Sequence, residues 1–157
     1  MAKKNCILIL MRKKNKGFTL MEVLIFVSVI SLFFVTAAAI TVASLRSLKT
    51  QERKILATRY AQELLEWLKG EKEADWNQFT NKASSSGTKY CFNTSPINTW
   101  PNSGVCSTYS LDNLFKREAN LTSGGATQQV NVSITVEWQE TGNTFKVPIN
   151  AVFAIWE

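Results

Sequence analysis

From Val23 to Leu45 the chain runs 23 residues without a formal charge, rich in Val, Ile, Leu, Phe and Ala. As an α-helix such a run spans about 35 Å, enough to cross the hydrocarbon core of a bilayer. One carboxylate, Glu22, stands at its head. Lys3, Lys4, Arg12, Lys13, Lys14 and Lys16 precede it with no acid among them, a bias that keeps the N-terminus in the cytoplasm and sends the remainder across. The 157 residues hold 18 Lys and Arg against 12 Asp and Glu, a formal charge of +6. Six of the cations lie before Phe18, which leaves 12 against 12 beyond it. The basicity belongs to the leader, and the electrostatic case for nucleic-acid binding by the rest disappears.

No Gly or Pro occurs between Phe18 and Lys69. After Leu45 the pattern turns amphipathic, with Leu48, Ile55, Leu56, Tyr60, Leu64, Trp67 and Leu68 spaced by threes, fours and sevens. Arg46, Lys49, Glu52, Arg53, Arg59, Glu63 and Glu66 fall between them, and Gly70 is a stop signal. The spacing predicts one helix from Phe18 to Lys69, weakest near Thr41–Ser47, where β-branched residues and serines collect. Its first part, 18–45, suits lipid. Its second part, 46–69, offers an apolar stripe to a soluble head.

That head, 70–157, begins as a polar linker in which Trp76 and Phe79 are expected to anchor to the core. The loop 91–106, "CFNTSPINTWPNSGVC", has surface composition, with two prolines and Gly104. Trp100 is the aromatic expected to face outward from it. The C-terminal third reads as a β-meander over about 113–156. Val130, Val132, Ile134, Val136 and Trp138 alternate with polar residues, "ETGN" at 140–143 marks a turn, and Phe145, Val147, Ile149, Ala151, Phe153 and Ile155 alternate again. Pro148 puts that last strand at an edge or a bulge. An earlier strand is expected around Asn113–Leu121, before a turn at Ser123-Gly124-Gly125. The fold class is α+β: a long N-terminal helix packed on a C-terminal antiparallel sheet.

The chain has no histidine, which removes Ser-His-Asp and Cys-His catalysis and the commonest transition-metal ligand. Cys6 lies in the leader. Once the head is exported, Cys91 and Cys106 are the available intrachain pair, and a bridge over the 14 residues between them stabilises by roughly 3 kcal/mol; in the cytosol they stay free thiols. Glu71, Glu73 and Asp75 read as a solvated turn, lacking the loop pattern of a calcium site. Chance accounts for the Asn-x-Ser/Thr triplets at Asn93, Asn120 and Asn131. There is no phosphate loop, nucleophile elbow or metal-ligand cluster, and no cofactor is implied. No catalytic set appears, and the chain does not read as an enzyme.

"KGFTLMEVLI", with basic residues before it and an apolar helix after it, resembles the type IV pilin family, pseudopilins included. Gly17, Phe18, Thr19, Leu20 and Glu22 fit at fixed spacing. The resemblance is close over residues 12–69 and architectural beyond them. "RYAQELLEWLKGEKEADW" is similar to minor pilins of the PilV-like kind. The resemblance implies a basic leader, 1–17, removed between Gly17 and Phe18 by a membrane prepilin peptidase that then N-methylates Phe18. It implies assembly through Glu22, Thr19 and Leu20 with other pilin subunits, at an inner-membrane assembly platform. Glu22 then answers to physics: a carboxylate in hydrocarbon costs on the order of 3 kcal/mol and needs a cation. Cleavage creates one at Phe18, four positions away on a helix or on the adjacent subunit. The product is a single-pass inner-membrane precursor that becomes part of a surface filament or a periplasmic pseudopilus. The uses left open are a pilus subunit and a type II secretion pseudopilin. A rival of another class is a secreted β-domain with a conventional signal peptide cut after Ala37–Ala39. Many major pilins carry Pro or Gly within the membrane half; the unbroken run here leans toward a minor pilin or pseudopilin, or toward a straight-helix variant. A start at Met11 gives the leader "MRKKNKG".

Overall fold

The computed structural model describes residues 17–124, 128–140 and 142–155. The basic leader before Gly17, with Cys6 and Met11, lies outside the described residues, as do Gly125 and Thr141 of the two expected turns. Uninterrupted by Gly or Pro for its first 50 residues, one helix, α1, occupies Leu20–Ala74. It differs from the expected helix at both ends. It starts two residues after Phe18 because Thr19 caps it. It also passes through Gly70 instead of ending at Lys69. Gly70 is exposed and a Cβ there would meet nothing, so its cost is backbone entropy, about 1 kcal/mol. The turn beyond is fastened: Trp100 Nε1 donates to Glu71 Oε2 at 2.6 Å. The stop falls at Asp75, whose extended backbone (φ −155°, ψ 101°) begins a second, short helix, α2, at Trp76–Thr80. The Asp75 carboxylate accepts from the Gln78 N–H at 2.9 Å, an N-cap.

The chain divides into two compact units, Met1–Arg46 and Ser47–Glu157, and α1 contributes to both. In the first unit every described residue is exposed. The helix is long and apolar enough to cross a membrane, and a helix apolar on all sides suits lipid. Four of its hydroxyls need no outside partner. Ser28, Ser31, Thr36 and Thr41 donate to the carbonyls of Ile25, Val27, Phe33 and Ala37 at 2.8, 2.7, 2.9 and 2.9 Å, which satisfies each polar group within the helix.

The second unit is an antiparallel sheet covered on one face by the rest of α1. Its strands are β1 (Thr88–Cys91), β2 (Phe115–Ser123), β3 (Gln129–Glu140) and β4 (Asn143–Ala154), side by side in chain order. The five alternating apolar residues of β3 are all at most 2% exposed. Across from them in register stand Phe153, Ala151, Ile149, Val147 and Phe145 of β4. β4 is an edge strand and Pro148 lies within it, opposite Thr135, a position that tolerates the missing N–H. β1 falls in the stretch read as linker: four residues of mixed burial carry too little alternation to be seen.

The helix stripe that meets the sheet is Ala57, Ala61, Leu64 and Leu68, all fully buried, at spacings of four, three and four. Leu48 and Ile55, expected in that stripe, are 60% and 70% exposed. Ile55 is two residues from Ala57, about 200° around the helix, so the two cannot face the same way. Weighting by side-chain size hides this, because two small alanines form the upper half of the true stripe. Phe79 of α2 is buried and Trp76 packs beside it.

Candidate processing and assembly site

Gly17, Phe18 and Thr19 are non-helical and exposed, Phe18 to 80%. The Thr19 carbonyl accepts from the N–H groups of Glu22 and Val23 at 3.0 and 3.2 Å, and its Oγ1 accepts from Glu22 N–H at 3.3 Å. Thr19 is therefore the N-cap of α1, and Glu22 is the third helical residue. The Thr-x-x-Glu spacing ahead of an apolar run is that of a capping box. It was legible in the sequence as a helix start, a signal the pattern of apolar residues overrides. The carboxylate of Glu22 lies in the first helical turn, where the peptide dipoles favour negative charge.

This start corrects one expectation. Phe18 precedes the cap, so Phe18 and Glu22 are not four apart on the same helix, and their pairing within one chain lacks that fixed geometry. Phe18, Glu22, Val23 and Phe26 instead border one shallow hollow of about 310 Å3. Leu20, the first helical residue, is 79% exposed.

In the head, Cys91 and Cys106 are joined in a disulfide with Cα atoms 5.0 Å apart. The bridged loop is also tied from within. Arg117 on β2 is fully buried. Its Nε donates to the Phe92 carbonyl at 2.9 Å and its Nη2 to the Thr94 carbonyl at 2.7 Å. Nη1 reaches α1, at 2.8 Å from the Tyr60 carbonyl and 3.0 Å from Glu63 Oε2. Asn93 Oδ1 accepts from the Arg117 N–H at 2.9 Å, while its amide donates to Thr108 O and Ser110 Oγ. Burial pulls the Arg117 pKa down, and Glu63 opposes that. Residue-type reasoning passed over this arginine, though the alternation Phe115, Arg117, Ala119, Leu121 places it on the inner face.

Trp100 does not face outward. Its ring packs against Trp67, Tyr90, Phe92 and Phe79 at centroid distances of 5.2, 5.3, 5.7 and 6.1 Å, with the Lys82 ammonium 5.6 Å away. A ring with four aromatic neighbours gains more from packing than a loop position loses.

On the other face of the sheet Tyr109 Oη donates to Glu137 Oε1 at 2.8 Å, and Lys116 Nζ lies 3.2 Å from the same oxygen. The hydrogen bond to Glu137, with partial burial, raises the Tyr109 pKa above the ordinary 10.0. Burial lowers that of Lys116, but the Glu137 hydrogen bond and charge outweigh it, and the net direction from 10.5 is up. Burial raises Tyr60 and Tyr90 as well. In each case the folded state holds its proton more tightly than the unfolded one. The stabilisation is complete below the unfolded pKa and is lost as pH rises through the folded value. Denaturant midpoints of the full chain in detergent are therefore expected to hold level to about pH 9 and fall above pH 10. Tyr109→Phe should flatten part of that fall, and an unchanged alkaline limb in that variant speaks against the Tyr109 contribution.

A long N-terminal helix whose later part packs on a four-stranded antiparallel sheet is a pilin-like α+β arrangement. The family model described as the prokaryotic N-terminal methylation motif matches residues 12–38. That range takes in Gly17, Phe18, the Thr19 cap, Leu20 and Glu22, together with much of the charge-free helix. No curated protein and no solved structure matches the chain.

Proposed function

We propose that the chain is a type IV pilin-like structural subunit, made as a single-pass inner-membrane precursor with its N-terminus in the cytoplasm. A prepilin peptidase removes residues 1–17 by cutting the Gly17–Phe18 bond and N-methylates Phe18. The processed subunit then enters a filament through its N-terminal helix, with other pilin subunits and an inner-membrane assembly platform as partners. The observation that carries this reading is the methylation motif over 12–38 at the head of a helix whose apolar first part is exposed throughout. Gly17 supports the cut, since it is exposed, has open space around it and brings no side chain into a protease cleft. Glu22 and the new Phe18 amine supply opposite charges for register between neighbouring helices. The absence of Pro and Gly from the membrane half supports a minor pilin or a pseudopilin over a major subunit, and the likeness of "RYAQELLEWLKGEKEADW" to PilV-like minor pilins favours the former.

N-terminal sequencing and mass measurement of the mature protein test the proposal. N-methylated phenylalanine at position 18 is the expected result. A mature start near Ile40 ends the reading in favour of a conventional signal peptide and a secreted head.

A further inference from the structure

The proposed cut hydrolyses the Gly17–Phe18 amide, with water giving its hydroxyl to the glycine carbonyl and its proton to the phenylalanine nitrogen. Hydrolases of this type take their substrates as extended backbone, because a helix closes its own N–H and C=O groups against those of a cleft. The first turn of α1 bears on that requirement. Thr19 uses both its carbonyl and its Oγ1 to hold the N–H of Glu22, and its carbonyl also holds Val23, so the helix starts at Leu20 and the scissile bond lies wholly outside it.

We propose that Thr19 is a positioning residue for the cleavage, fixing the helix start so that Gly17 and Phe18 are presented extended. The inference rests on the processing reading above. The observation that supports it is the capping geometry itself, on residues that lie within the matched methylation motif. The upstream sequence makes the position consequential. Asn15 and Gly17 are both residues able to cap a helix. Without the Thr19 hydroxyl, α1 is free to begin two or four residues earlier and to draw Phe18 and the scissile bond into its first turn. The apolar run behind gives no competing stop signal, for no Gly or Pro follows until Gly70. The same cap survives the cut, since it needs only residues 19–23, and the mature helix begins where the precursor helix did.

The test is the initial rate of cleavage of the full precursor in inner-membrane vesicles containing prepilin peptidase, for wild type, Thr19→Val and Thr19→Ser. Valine keeps the branched shape and loses the oxygen; serine keeps the oxygen and loses the methyl. Thr19→Val is expected to slow cleavage about fivefold, the factor that corresponds to a typical N-cap, while Thr19→Ser stays near wild type. The carbonyl carbon of 13C-labelled Phe18 is expected to shift toward the helical value in Thr19→Val alone, which reports the helix start independently of the peptidase. Equal rates for all three chains overturn the proposal, and so does equal slowing of both variants. A wild-type chain never cut at Gly17–Phe18 overturns the processing reading instead.

Discussion

Replacing Glu22 with alanine is expected to leave cleavage at Gly17–Phe18 near its wild-type rate and to cut incorporation into filaments at least tenfold. The carboxylate stands in the first turn of a helix with apolar residues on every side. In hydrocarbon it costs on the order of 3 kcal/mol until a cation meets it. Before the proposed cut the Phe18 nitrogen is an uncharged amide, since the chain continues through Gly17 into the leader. After the proposed processing a methylated Phe18 amine would carry a positive charge at the helix start, where the peptide dipoles repel it and an anion is welcome. The corrected helix start sharpens the choice of partner. Phe18 lies outside the helix, so a Glu22 fixed on its first turn is free to meet the amine of a neighbouring chain. Immunoblotting of sheared filaments against total mature protein reads the effect. Glu22→Gln, which keeps size and hydrogen bonding, should fail nearly as badly as alanine. Normal incorporation of either variant would falsify the pairing.

The largest effect on stability is expected at Arg117. Substitution by alanine removes four contacts of 2.7–3.0 Å, to the carbonyls of Phe92, Thr94 and Tyr60 and to Glu63. Three carbonyls lose the donor that served them and Glu63 loses its partner. Breaking a buried pair from the fully buried side destabilises by about 3–5 kcal/mol, because the groups left behind are not resolvated. Glu63 is 34% exposed and Thr94 is exposed, so solvent softens their shares; the carbonyl of buried Phe92 carries the largest one. Lysine is no substitute, as a single ammonium cannot span the positions that the planar fork reaches. Urea melts of the full chain in detergent measure the loss. A change under about 1 kcal/mol would show that the arginine merely fills space.

The parts of this fold that repeat were legible in the sequence. Five alternating apolar residues gave β3, six gave β4, and a charge-free run without Gly or Pro gave α1. What escaped was written in single residues. The Thr19 cap sets where the helix starts through its hydroxyl and carbonyl, and no periodicity registers a single residue. Ala57 and Ala61 meet the sheet because they are small, whereas a hydropathy reading ranks Leu48 and Ile55 above them. Arg117 has the side chain least expected inside, yet its strand position already placed it there. Trp100 sits in a loop of polar composition, and composition is silent about a ring that four other aromatics surround. For the proposed processing site the motif residues were plain from spacing, and the helix start that divides Phe18 from Glu22 was written in the Thr-x-x-Glu spacing but masked by the unbroken apolar pattern.

The strands lie in the sheet in the order in which they occur in the chain. No strand has to be inserted between two that are already paired, and every pairing joins sequence neighbours, an arrangement of low contact order that favours fast folding. In the proposed topology the N-terminus stays in the cytoplasm, so the later part of α1 crosses before any strand, and β1 to β4 follow in turn. Each arriving strand finds an open edge, and the earlier helix provides a surface for its apolar face. Secretion and folding can therefore proceed in step, with the last strand to emerge completing the sheet from outside.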